Sequence, residues 1–259
     1  MTLLESAFNR SFRTLLGREI LRFVRVWTQT LIPPLLTSLL YVVVFGVALG
    51  GRIREVDGVP YLQYILPGVA LMSLVTGAYM NPSTSVFDAK RERYIDDILI
   101  SPMSDAQIAL AYTLGGTLRG LIVGVGVFVV GMPFAGASVE DPVVLLLIAV
   151  TVAFTFSALG AVVGVVAARI DHVTFMTNVV IQPLAFLGGV FYSVEMLPSA
   201  LRIATHLNPI FYMVDAARYA TLRASDLNPY PTLLIVAALA ALSFAGAWWA
   251  MNRGPNLRY

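Results

Sequence analysis

The amino-acid sequence predicts an all-α membrane protein with six transmembrane helices, and three observations predict it. Hydrophobic residues fill 58% of the 259 positions and charged residues only 12%, where soluble domains carry roughly 25% charge. A water-facing surface needs polar cover, so lipid must solvate most of this one. Six apolar runs, 30–50, 61–86, 106–131, 143–168, 173–192 and 231–251, each come near or above the roughly 20 residues that a spanning helix needs. The cationic residues are distributed unequally between the two ends of these runs. Eleven fall on the N-terminal segment, the second-to-third and fourth-to-fifth connections and the C-terminus, against five on the other side. Lysine and arginine mark the cytoplasmic face, so both termini are expected there, as an even number of spans requires.

Taken in order, the elements follow from local patterning. Residues 10–27, "RSFRTLLGREILRFVRVW", repeat Leu16, Ile20, Phe23, Val24 and Trp27 at helical spacing, with Arg18, Arg22 and Arg25 on another stripe. A basic helix with an apolar face and a Trp lies in the membrane interface, and such a helix is expected over 1–29. The first apolar run begins too late, and is too long, for a usual cleaved signal peptide. Pro33 and Pro34 remove amide donors and predict the bend between the interfacial helix and the first span. Gly116, Gly120 and Gly124 in the third span, and Gly160, Gly164 and Ala168 in the fourth, let backbones approach closely. They serve either packing within one subunit or a dimer seam. Arg119 lies deep in the third span, where a charge costs at least a few kcal/mol unless paired or hydrated. Its expected partner is Glu195 or Asp215, provided the external segment folds back into the membrane. That segment, 193–230, is punctuated by Pro198, Pro209 and Pro229 and holds two amphipathic stretches, 199–206 and 210–223. These are read as short re-entrant or interfacial helices between spans five and six.

The residues exclude several chemistries. There is no cysteine, hence no disulfide framework or thiolate metal site. No G-x-x-x-x-G-K-[ST] phosphate loop occurs, and Lys90 is the sole lysine. The two histidines, His172 and His206, belong to no H-E-x-x-H pair, and G-x-S-x-G is missing. No metal site, nucleic-acid partner or enzymatic activity is expected. An ion-gradient-driven secondary transporter would show internal repeats and buried acids, and the spans are almost free of carboxylates. A non-transporting membrane scaffold explains the spans but not the next segment.

That segment is "FDAKRERYIDDILISPMS", 87–104. It packs Asp88, Lys90, Arg91, Glu92, Arg93, Asp96 and Asp97 between two apolar runs. Ile95, Ile98 and Leu99 form a small apolar face, and Ser101-Pro102 ends the helix, because a residue before proline disfavours helical geometry. Mixed signs suit pairing across a protein interface, whereas a uniformly basic loop would suit anionic lipid.

Together with the basic helix leading into "QTLIPPLL" and the stretch "FLGGVFYSVEMLPSALRIATHLNPIFYMVDAARY", this segment resembles the permease subunits of ABC-2 type transporters. These include drug-export, polysaccharide-export and nodulation-factor-export permeases. The resemblance covers nearly the whole chain, read as one transmembrane domain over 1–259. It implies that 87–104 holds a cytoplasmic coupling helix, with Asp88, Lys90, Arg91, Glu92, Arg93, Asp96, Asp97 and Ile98 meeting a separate ATP-binding cassette ATPase in two copies. ATP and Mg would be bound by that partner, and no cofactor by this chain. A second permease copy would complete the assembly, as a homodimer or with a different permease, in the inner membrane of a bacterium. Resemblance also implies that spans one, two and five line the substrate path. The candidates there are Thr76, Tyr79, Asn81, Thr174, Thr177, Asn178, Gln182 and Phe186, with Phe191 and Tyr192 at an outer constriction. The expected cargo is amphipathic, lipid-linked or drug-like, moved from the cytoplasm or inner leaflet outward.

Overall fold

A computed structural model describes residues 3–45, 55–56, 58–223, 227 and 229–254. The protein is an all-α membrane protein. Its helices are α1 (Leu3–Val24), α2 (Trp27–Val43), α3 (Tyr61–Arg91), α4 (Ile95–Leu99), α5 (Asp105–Ala135), α6 (Pro142–Val166), α7 (Ile170–Phe175), α8 (Gln182–Leu187), α9 (Ser199–His206), α10 (Pro209–Leu222) and α11 (Pro229–Arg253). A π-helix, Met176–Ile181, joins α7 to α8, so that 170–187 forms one span. A two-residue antiparallel pair, Glu55–Val56 with Val59–Pro60, precedes α3; strands this short leave no alternating pattern to read. Five helices are long and apolar enough to cross a membrane, and the bent pair α1–α2 supplies a sixth if counted as one span. The end of the first predicted span, 46–50, lies outside the described residues, as do Arg52, Arg54 and Arg258.

The third helix, α3, is the axis of the bundle. It packs most extensively on α5 and α6 and is buried along most of its length, from Tyr64 and Ile65 to Phe87. The approach is close because α5 and α6 present glycines to it. A Cβ on Gly120 would lie 2.6 Å from the Ala78 Cβ and 2.8 Å from the Leu74 carbonyl, and one on Gly160 would collide with the Tyr79 carbonyl. The glycine spacing therefore serves packing within the subunit, one of the two readings left open. Helix association in lipid relies on such close van der Waals packing. The outer faces of the ring are apolar and exposed, as at Leu40, Val129, Leu147, Leu242 and Trp249, as a surface solvated by lipid should be.

Two expectations need correcting. The 57° bend falls between Val24 and Trp27, ahead of Pro33 and Pro34, which sit inside α2. Their missing amides deprive the carbonyls of Gln29 and Thr30 of helical partners. Both residues border a cavity, where freed backbone groups in membrane helices are tolerated. The second correction concerns Arg119, which makes no ion pair with Glu195 or Asp215. Asp215 and Arg218 are buried together on α10. Arg218 stacks over the Tyr64 ring at 3.8 Å and donates to the Gly189 carbonyl at 2.7 Å. The two amphipathic stretches between the last two spans appear as α9 and α10. Asn208 joins them: its side chain caps the Ile210 amide at 3.0 Å and donates to the Leu184 carbonyl at 2.6 Å. Helix α10 packs against α3 and α6, whereas Ile203 on α9 and Leu207 just after it are exposed.

Candidate functional site

Two regions gather the polar residues that the sequence singles out. The first is the end of the bundle where α1, α3, α4 and α5 meet. Helix α3 carries Asp88, Lys90 and Arg91 on its last turns, so these belong to the span rather than to a separate helix. Lys90 closes the C-terminus of α6, donating to the carbonyls of Val165 and Ala167, a favourable place for a cation. Arg93 then takes a left-handed conformation, φ 62°, and turns the chain into the five-residue α4. Ser101 Oγ donates to the Ile98 carbonyl at 2.6 Å, and the Ser104 amide donates to Gln107 Oε1 at 2.9 Å where α5 begins.

The faces of α4 differ from expectation. Ile95 and Ile98 are buried against Leu15, Val86, Ile108 and Tyr112, so this small apolar face grips the rest of the chain instead of lying open. Outward stand Arg91, Glu92, Arg93, Asp96, Asp97 and Ile100, and Ile100 is 82% exposed.

Helix α1 locks this corner. Arg18 donates to the Tyr112 hydroxyl at 3.2 Å and lies 4.9 Å from the Tyr94 ring centroid. Arg22 donates to the Asn81 carbonyl at 3.1 Å and to Thr84 Oγ1 at 2.6 Å, and approaches Asp88 at 3.8 Å. Two of the three arginines expected at the membrane interface thus bond to the protein, Arg22 half-buried and Arg18 still largely exposed, while Arg25 and Trp27 are exposed at the bend without such bonds among the described residues. The residue that sequence reasoning missed is Glu19. It is fully buried, accepts from Ser85 Oγ at 2.8 Å and from Arg18 at 3.4 Å, and its Oε2 has no partner. Burial pushes its carboxyl above the ordinary 4.5, against the opposing pull of Ser85, Arg18 and Arg22. The signal was present: Leu15, Glu19 and Phe23, four apart, are the buried stripe of α1. A cavity of about 590 Å³ between α1 and α4 is bordered by Arg10, Thr14, Arg18, Tyr94 and Asp97.

The second region lies within the bundle. A cavity of about 260 Å³ opens between α2, α3, α5 and α8, with Gln29, Tyr41, Thr76, Arg119 and Gln182 among its lining. Of the path candidates, Thr76 and Gln182 border it. Tyr79 is wholly buried and donates to the Val173 carbonyl at 3.2 Å, and Thr177 Oγ1 reaches Met80 Sδ at 3.5 Å besides the Val173 carbonyl of its own span at 3.3 Å; the Tyr79 and Met80 contacts tie α3 to the fifth span. Thr76 and Thr174 return their hydroxyls to their own helices. Asn81 is buried behind α1, with neither side-chain polar atom partnered, and Asn178 is exposed. Beyond the cavity, towards the opposite end from α4, Phe186 and Phe191 stack at 5.4 Å, Phe45 and Phe191 at 4.5 Å, and Tyr41 meets Phe191 edge-on at 5.6 Å. Among the described residues no group of three or more acids and histidines is placed to hold a metal ion.

Comparison with known proteins agrees with this architecture. Residues 10–222 match the ABC-2 type transporter family. The inner membrane transport permease YadH of Escherichia coli strain K12 is 37% identical over 248 residues, covering 96% of this chain and 97% of that protein. Nodulation protein J of Rhizobium meliloti strain 1021 is 24% identical over 202 residues, 78% of this chain and 77% of its own length.

Proposed function

The chain belongs to the ABC-2 type transporter family, and from that premise we propose that it is the transmembrane subunit of an ATP-driven exporter whose ATPase is a separate polypeptide. One observation carries the reading. The outward face of α4 and its approach, from Arg91 to Ile100, offers charges of both signs around one exposed isoleucine, while the inward face is anchored in the core. Such a surface suits a protein partner. Because α4 is gripped by α1, α3 and α5, a push on it would travel into the spans as a rigid displacement rather than being absorbed locally. The sequence has no phosphate loop of its own, so ATP and Mg would be bound by the partner, in two copies facing a permease dimer.

In this reading the α4 end lies in the cytoplasm, as the positive-inside pattern favours, and the chain is a multi-pass protein of a bacterial inner membrane, like YadH. The substrate path runs beside α2, α3 and α8, past the Gln182 cavity to the Phe45–Phe186–Phe191 cluster, and export opens that cluster. The test is double charge reversal, Arg91→Glu with Arg93→Glu, in the complex purified with its ATPase. Permease-stimulated ATP hydrolysis should fall at least about tenfold, as expected when interfacial charge pairs are reversed, while membrane insertion is unchanged. Full stimulation in the double variant would refute the coupling role of this surface.

A further inference from the structure

Arg119 is the residue that neither the fold nor the coupling surface accounts for. It is half-buried on α5, its Nε is enclosed without a hydrogen-bond partner, and it makes no ion pair with a described residue. The cavity that it borders has no carboxylate among its described lining residues. A guanidinium held at this depth costs several kcal/mol unless something neutralises it, and no carboxylate among the described residues does so.

We infer that Arg119 is the anchor for an anionic group, a phosphate or carboxylate, at the head of an amphiphilic solute. This deepens the exporter reading and rests on it for the word substrate. The chemistry of the walls points to an amphiphile and not a free ion. The guanidinium fork matches two oxygens of a phosphate or carboxylate. Gln182 stands in the same cavity with Gln29, Thr37 and Ser73 as further polar side chains, while Val69, Met72, Met80 and Val123 supply an apolar part of its wall. The neighbouring face of α2 exposes Leu36 and Leu40, where acyl or polyprenyl chains find hydrocarbon. A headgroup can thus sit on Arg119 while its tails stay in lipid, and Arg119 selects cargo by charge. Arg22 cannot serve the same purpose, because Asn81, Thr84 and Asp88 occupy it.

The test uses the purified full chain in detergent and counts bound lipid by native mass spectrometry. The probes are phosphatidylglycerol, phosphatidylcholine of the same acyl chains, and inorganic phosphate. The wild-type chain should prefer phosphatidylglycerol. Arg119→Gln should lower that preference about tenfold, the effect of losing one charge-assisted hydrogen-bonded contact. Arg119→Lys should keep it within about threefold, and Arg253→Gln, an exposed change at the end of α11, should leave it intact. Gln182→Glu, which supplies an acid to the same cavity with Arg119 in place, should abolish the preference as Arg119→Gln does. It answers the question even if Arg119→Gln does not fold. A preference surviving in either variant would overturn the inference, as would displacement of phosphatidylglycerol by millimolar inorganic phosphate, which would make the site one for a free ion. Binding needs no nucleotide. An anionic preference without ATP-driven transport therefore defeats only the exporter reading, and transport without the preference defeats only this one.

Discussion

The Glu19 carboxylate accepts a 2.8 Å hydrogen bond from Ser85 Oγ and so fastens α1 to the central helix from a fully buried position. Its second oxygen has no partner, which makes the charged form costly. The folded state therefore holds the Glu19 proton more tightly than the unfolded chain does. This contribution to stability is complete below 4.5 and is lost as pH rises through the raised folded value. The thermal midpoint of the purified chain should fall across that window. Glu19→Gln should remove this fall and melt no lower than wild type at pH 7. A melting curve with the same pH slope in the variant would assign the effect elsewhere.

Gly120 tests the closeness of α5 to α3. With Ala78 Cβ 2.6 Å from the position of an added Cβ, Gly120→Leu forces the helices apart and should cost about 1–3 kcal/mol or more. In a chain of this size that reads as a midpoint lowered by roughly 2–10 °C. Gly17, which meets nothing within 4 Å, is the control, and Gly17→Ala should not lower the midpoint.

Phe191 is the hub of the aromatic cluster, in contact with Tyr41, Phe45 and Phe186. If that cluster closes the outer end of the path, Phe191→Ala should raise nucleotide-independent release of carboxyfluorescein from proteoliposomes, and Phe191→Leu should restore retention. Equal release from Phe191→Ala and wild type would place the constriction elsewhere.

Much of the fold was legible because membrane solvation writes length and hydropathy directly into the chain. The six apolar runs, the two helices around Asn208 and the glycine rows all follow from one-dimensional rules. What was not legible depends on which face meets which neighbour. The apolar stripe of α1 was read through Leu16, Ile20, Phe23, Val24 and Trp27, whereas the stripe that packs runs through Leu15, Glu19 and Phe23; only Phe23 is shared, because a carboxylate in the packing stripe hid it. Ile98 looked like an open docking residue because an isolated five-residue helix gives no clue that its apolar side faces its own chain. The prolines of α2 suggested a bend that the anchoring of Arg18, Glu19 and Arg22 instead places at residues 25–26. Arg119 was recognised as a buried charge, but its surroundings belong to four separate helices and appear only when they are assembled.

The source of the energy is the point on which the whole account turns. The direct measurement is ATP hydrolysis and ATP-dependent transport in liposomes holding the purified chain, alone and then with its ATPase, with a single cysteine introduced at Ile100 in this otherwise cysteine-free sequence. The account predicts neither activity from the chain alone, both from the complex, and loss of stimulation when a bulky maleimide is attached at position 100 before assembly. Transport by the chain alone, or undiminished stimulation after that modification, would contradict it.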